Sequence, residues 1–246
     1  MLHIKGIILS LNHQSPINPL LRENMKGGPN VERGDLQSLE SVLSYLENIH
    51  EIEQLQYRYQ HYLNLGKGHQ IVDELFAQDT PDISMEAGDS GVFKGKEGVR
   101  RHFYPYDEIA SEPGVYLEHR VIMPVIEIAE DGNTARGVWI SPGNWANGKP
   151  PIQCWAYGRY WTEYIKEKGI WKIWHMIWDQ TFESPYKEGW LNSSASTAST
   201  MRVLPWYPPD APPSHFFPYN AGSMNSDFLM PPEAEEKKSH HTTKRG

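Results

Sequence analysis

The chain has 246 residues, 39% hydrophobic and 22% charged, enough for one substantial core and short for two. Its 31 acidic against 23 basic side chains give a formal charge of -8, the wrong sign for holding a phosphate backbone, so no nucleic-acid partner is expected. Cys154 is the single cysteine, which excludes an intramolecular disulfide, a two-cysteine redox pair and a thiolate zinc site, and points to a reducing, cytoplasmic compartment.

Residues 1–36 carry Pro16, Pro19, Gly27, Gly28 and Pro29 among polar residues without a period, the pattern of an arm. The apolar run Ile7 to Leu9 is too short for a signal-peptide core, and no stretch approaches the roughly twenty apolar residues that cross a bilayer, so no membrane partner is expected. From Gln37 to Leu65, Leu39, Val42, Leu46, Ile49, Ile52, Leu55, Tyr59, Tyr62 and Leu63 recur at spacings of three and four before Gly66, which predicts one long amphipathic helix or two consecutive ones. Shorter helices are predicted over about 69–76 and 96–104, with a strand and the turn Gly88 to Gly91 between them.

Beyond Gly114 the chain turns β-branched and aromatic. Strands are predicted over 116–129, 135–141, 151–166 and 170–182, cut by Glu130 to Asn133 and Glu167 to Gly169. Helices first and an antiparallel meander afterwards predict an α+β domain over 37–186, helices packed on one face of a curved sheet. Residues 187–246 dissolve into a Pro-rich extension, eight of the 19 prolines falling between Pro205 and Pro232, suited to wrapping a surface and unable to build a core.

Several local patterns, in this order and spacing, resemble the SnoaL-like branch of the nuclear transport factor 2-like superfamily over about Leu46 to Tyr186. They are Ile52 to Tyr59, Asp73 to Asp79, Phe93 to Val99 leading into a helix, His119 with Pro124 to Ile128, and Gly169 to Ile173. The resemblance implies a cone-shaped roll: a strongly bent antiparallel sheet wrapped around the long N-terminal helix, enclosing an apolar pocket. That scaffold hosts scytalone dehydratase, bile acid 7-alpha dehydratase, ketosteroid isomerase, limonene epoxide hydrolase, polyketide cyclases, formaldehyde-releasing lyases and non-catalytic binders, so fold does not settle function. It also implies a homodimer or homotrimer.

In the dehydratases of that family a tyrosine on the first helix, a carboxylate five residues later and a histidine on a later strand form the site. Tyr59 matches the tyrosine and His119 the histidine. The carboxylate position falls on Asn64, and a second acidic or histidine position falls near Gly143, Asn144 or Trp145, so both acids are missing.

On their own chemistry, His119 can take and return a proton near neutral pH, or serve as a structural histidine. Tyr59 can donate a hydrogen bond to a developing oxyanion, or fill the core. His175 and Asp179 alternate on one strand face with Trp171 and Ile173, which predicts an oriented acid/base pair if that face turns inward. Arg159, flanked on its face by Trp155, Tyr157 and Trp161, can stack on rings or hold an anion, or mark an outer face. Opposite it, Cys154, Ala156 and Gly158 leave room for a ligand under Tyr160. Seven of the 9 Trp, including Trp139, Trp155 and Trp178, lie in 139–178, as a bulky core or a flat apolar ligand's site requires.

No HxH, HExxH, phosphate-binding loop or GxSxG stretch occurs, so neither metal nor cofactor is expected. The reading is a cofactor-independent lyase, of dehydratase or formaldehyde-releasing type with isomerase chemistry possible, acting on a small aromatic or polycyclic substrate. Its catalytic residues are Tyr59, His119, His175 and Asp179. Substrate contacts fall to Asn64, Trp139, Trp155, Tyr157, Arg159, Tyr160 and Trp178. The competing reading is a non-catalytic SnoaL-like domain that binds a small hydrophobic molecule or forms an oligomer.

Overall fold

The structure, a computed structural model, describes residues 36–149, 151–191 and 208–222. The N-terminal arm expected over 1–36 therefore lies almost wholly outside the described residues, as does much of the C-terminal extension. Helix α1, Leu36–Asn64, is the long helix the apolar spacing predicts. Ile52, Leu55, Gln56, Tyr59, Gln60 and Leu63 are buried along one face, the three-and-four spacing placing them on a single stripe. Gly66 stops the helix: at φ +62 its neighbours close the end with Lys67 N–H donating to the Tyr62 carbonyl and Gly66 N–H to Leu63, a left-handed cap that glycine adopts without strain.

Next come α2, Gly68–Gln70, continued by a π-helical turn Ile71–Leu75, then strand β1, Ser84–Ala87, and β2, Val92–Lys94. Helices α3, Gly95–Phe103, and α4, Pro105–Ile109, precede β3, Tyr116–His119, and β4, Ile122–Ile128. Three long strands finish the domain: β5, Thr134–Gly148, β6, Pro151–Glu167, and β7, Ile170–Pro185. The predicted strand 116–129 is thus two strands, and the one over 135–141 runs seven residues further.

The sheet has the order β2-β1-β7-β6-β5-β3, with β4 also pairing β5; it is strongly curved and unclosed. It is mixed, because β1 runs parallel to β7 while every other pairing is antiparallel. One face packs on α1: Tyr164 donates from its hydroxyl to Gln56 Oε1 at 2.7 Å and receives Trp139 Nε1–H at 3.0 Å. Trp139, Tyr160, Tyr164, Trp171, Ile173, Met176 and Trp178 join the α1 stripe in one core.

Two bulges in β7 decide which side chains enter that core. Ile173 pairs with Tyr164 and His175 with Glu163, leaving Trp174 as an extra residue; Gln180 pairs with Gly158 and Phe182 with Tyr157, leaving Thr181 as another. Each extra residue inverts the alternation beyond it. Trp171 and Ile173 therefore point inward while His175, Ile177 and Asp179 point outward, which corrects the shared face expected from strict alternation.

The described part of the C-terminal extension lies on the outer face. Val92 N–H donates to the Ala211 carbonyl, Asp210 accepts from Lys94 N–H and Arg101, and Tyr219 N–H donates to the Thr181 carbonyl. Glu86 on β1 accepts from Ser214 N–H, the Ser214 hydroxyl and His215 N–H at 2.6 to 2.7 Å. The bulged Thr181 has no partner strand on that side, which leaves its carbonyl open to the strap.

Candidate functional site

Strand pairing arranges the inward side chains in rungs across the sheet. Trp139, Tyr160 and Trp178 make one rung; Ser141, Gly158 and Gln180 the next; His119, Gly143, Ala156 and Glu183 the third; Leu117, Trp145 and Cys154 the fourth. The bulky first rung is met by α1, where the Tyr59 ring meets Tyr160 edge-on at 5.6 Å. The two middle rungs are small or polar at their centres. A Cβ on Gly143 would sit 3.0 Å from His119 Nδ1, and one on Gly158 would sit 2.8 Å from the Trp178 ring. Those two glycines are what allow the imidazole and the indole to lie down on the sheet, edge to face with centroids 5.1 Å apart.

His119 is held from behind. The Asn64 side chain donates Nδ2–H to the His119 carbonyl at 2.9 Å and accepts His119 N–H at Oδ1 at 2.8 Å. An amide can make both bonds because it carries a donor and an acceptor; a carboxylate could make only one. The ring itself is buried, its Nδ1 has no hydrogen-bond partner, and burial pushes its pKa down to about 4. His119 is therefore neutral at pH 7 and able to accept a proton.

Tyr59 and Tyr160 are neutral donors. Burial, followed by the neighbouring Tyr160 and Tyr106 hydroxyls, holds Tyr59 well above the ordinary tyrosine range, and burial likewise raises Tyr160. Tyr106, on α4, is pushed up to about 12 by burial and then by the Glu183 carboxylate. It also lines a cleft of about 520 Å³ at the end of α1, together with Asn64, Ile109, Leu117 and Trp145. Tyr106 and Asn64 thus join the cleft to the interior tyrosines and to His119. Trp145 adds a buried Nε1–H with no hydrogen-bond partner at the cleft wall.

The remaining candidates fall elsewhere. His175 Nδ1 is 2.8 Å from the Ser84 hydroxyl on the outer face, where burial lowers its pKa and Asp82 partly opposes the fall. Asp179 pairs in register with Arg159 on that face; burial raises its pKa while Arg159 and His215 pull it down. Trp155 meets Tyr186, and Tyr157 stacks on Phe182 at 4.9 Å, also outside. Trp139 is inside but fixed by Tyr164. His175 and Asp179 are thus separated from Tyr59 and His119 by the sheet. Sequence reasoning missed Tyr106 and Glu183: the first follows α3 in a helix with no apolar period, and the second lies beyond the last strand position the alternation reached. Only Pro105, favoured at the first turn of a helix, signalled α4.

Residues 44–177 match the family model of the SnoaL-like domain, and the chain belongs to that family, within the nuclear transport factor 2-like superfamily. Among solved structures it is similar to a protein from Novosphingobium aromaticivorans assigned as a scytalone dehydratase. That likeness is at 15% identity with a TM-score of 0.50, covering 58% of this chain and 90% of that one. It is also similar to LinA, at 13% identity and a TM-score of 0.50, covering 58% of this chain and 92% of that one. A nuclear transport factor 2-like protein from Salmonella enterica is similar at 17% identity and a TM-score of 0.48, covering 59% of this chain and 99% of that one. At these identities the first two likenesses show the fold alone. A search of curated proteins gives no match. Among the described residues no group of three or more His, Cys, Asp or Glu is placed to hold a metal ion, and no helix is long and apolar enough to cross a membrane.

Proposed function

We propose that the protein is a cofactor-independent lyase that eliminates water or formaldehyde from a small aromatic substrate admitted through the cleft at the end of α1. The observation that carries this reading is His119: a buried imidazole, neutral at working pH, clamped at its backbone by Asn64, with an unpartnered Nδ1. In the dehydration form, His119 takes a proton from the carbon next to the C–O bond. The freed pair becomes the new double bond, the C–O bond breaks, and the imidazolium returns its proton to the departing oxygen as water. The Tyr59 and Tyr160 phenols, neutral at any working pH, donate to the substrate oxygen that gathers charge, in a site where few waters compete. Trp178 supplies a flat face beside His119. The solved structure assigned as a scytalone dehydratase shares this fold, which supports such chemistry here.

One observation favours a second reading, a non-catalytic binding domain. Asn64 gives His119 no carboxylate, so an imidazolium formed there has no counter-charge from that position. Incubating the protein with pooled phenolic and aryl-propanoid alcohols, followed by mass spectrometry, separates the two. Loss of water or formaldehyde by the wild type and not by His119→Ala supports the lyase. A compound carried unchanged through desalting by both proteins supports the binder.

A further inference from the structure

The wall of the cleft at the end of α1 contains a donor with nothing to donate to. Trp145, on β5, is 4% exposed and lines the cleft, and its indole Nε1–H is buried with no hydrogen-bond partner among the described residues. The side chains clustered with it, Leu117, Ile152, Cys154 and Ala156, are apolar or at most weak acceptors, so the protein side of the wall offers no replacement. Three other polar side chains of the cleft do have protein partners. Asn64 bonds the His119 backbone, Asn147 bonds the Lys149 backbone, and Glu118 pairs with Arg120 at 3.3 Å. A buried donor left unmade is costly, which favours a molecule that brings it an acceptor.

Register fixes where that donor stands relative to His119. Gly143 lies opposite His119 and Trp145 opposite Leu117, two residues further along the same face. The indole is therefore rooted one rung, roughly 7 Å, from the position facing the imidazole. The cleft also limits the charge of its occupant. Among the described residues no Lys or Arg lines it, whereas Glu118 does, so an anionic acceptor would find no counter-charge and a neutral oxygen fits better. Leu63, Leu65, Ile109 and Val115 give it apolar walls, and about 520 Å³ lies within the range of pockets for drug-sized ligands.

Building on the reading above that an aromatic molecule is admitted by this cleft, we propose that the Trp145 indole N–H is the donor that anchors it. The cleft accordingly takes neutral aromatic carbonyl compounds, with the carbonyl oxygen about one rung from the end that faces His119. A molecule of the same shape without the oxygen leaves the N–H unsatisfied, so the site discriminates between the two by one buried hydrogen bond. Trp145 is then a specificity residue, separate from the proton transfer at His119.

The probes are benzophenone and diphenylmethane, a ketone and a hydrocarbon on the same two-ring frame, titrated against wild type, Trp145→Phe and Trp161→Phe, with melting curves confirming each fold. Trp161 is the control: its Nε1–H is also buried without a partner, but on the outer face beside His215. Wild type should bind the ketone about tenfold more tightly than the hydrocarbon. Trp145→Phe should weaken the ketone about tenfold and the hydrocarbon less than about threefold, and Trp161→Phe should change neither. In the proton–nitrogen spectrum of wild type, the indole resonance absent from Trp145→Phe should move downfield with benzophenone and not with diphenylmethane. Ile109→Trp keeps the donor and narrows the cleft, so it should weaken both probes alike, which locates the site even where Trp145→Phe does not fold. Binding of neither probe, equal affinities in wild type, equal losses in Trp145→Phe, an unmoved Trp145 resonance or binding untouched by Ile109→Trp would overturn the inference. Alcohol turnover that depends on His119, without any ketone preference, would leave the lyase standing alone. A ketone preference lost in Trp145→Phe, with no alcohol turned over, would sustain the anchor and sink the lyase.

Discussion

At the residue scale the site turns on how one amide and one imidazole divide the work. Asn64 occupies the position where a charged partner for the histidine was expected, and instead bonds both backbone groups of His119. Asn64→Asp removes the donor and places a carboxylate against the His119 carbonyl. It should cost about 1–3 kcal/mol of stability by urea unfolding and lower turnover with it. His119 also makes stability depend on pH. Folded, its pKa is about 4; unfolded, it returns to about 6.5, so between those values the unfolded chain binds the extra proton. Its contribution is fully present above about pH 6.5 and is lost as pH falls toward 4, on the order of 3 kcal/mol. His102, packed among Phe93, Phe103 and Tyr106 and also pushed down to about 4, adds to the same ramp. Unfolding free energies measured from pH 7 to 4.5 should therefore fall, and His119→Asn should make the fall shallower; an unchanged slope would contradict a buried neutral imidazole.

At the scale of elements, the long helix, the order of helices before strands and the three long strands were legible, because apolar spacings of 3.6 and 2 report burial directly. Side-chain direction in β7 was not. Trp174 and Thr181 are each one residue too many for their partner strand, and nothing in Ile173-Trp174-His175 distinguishes a bulge from continued alternation. The Trp174 bulge turns His175 and Asp179 outward, and the Thr181 bulge turns Glu183 back to the inner face. The parallel pairing of β1 with β7 was hidden for a related reason, since it joins segments about 90 residues apart through backbone bonds that leave no pattern in either. Docking of the strap depends on Glu86, whose carboxylate gathers three donors. Glu86→Gln should weaken them, lower the melting temperature and speed proteolytic cleavage within 208–222; unchanged cleavage would show that the strap is held elsewhere.

For the whole molecule, the sheet acts as a wall with two different faces. Its inner face carries Tyr160, Trp178, His119 and Glu183 and meets Tyr59 on α1, while Asn64, bonded to His119, and Tyr106 also line the cleft. Its outer face carries Arg159, Asp179, His175 and the ring stack of Tyr157, Phe182 and Trp190, and is partly covered by the strap. The inward placement of Tyr59 and His119 was legible because each is expected from family resemblance at a single position. The rung that sets His119 opposite Glu183 exists only once four strands are in register. The central claim is that chemistry belongs to the inner face, and it is tested most directly by comparing His119→Ala with His175→Ala on the pooled alcohols by mass spectrometry. The account predicts that loss of water or formaldehyde disappears in His119→Ala and persists at wild-type rate in His175→Ala. Turnover that survives in His119→Ala and vanishes in His175→Ala would place the chemistry on the outer face and contradict it.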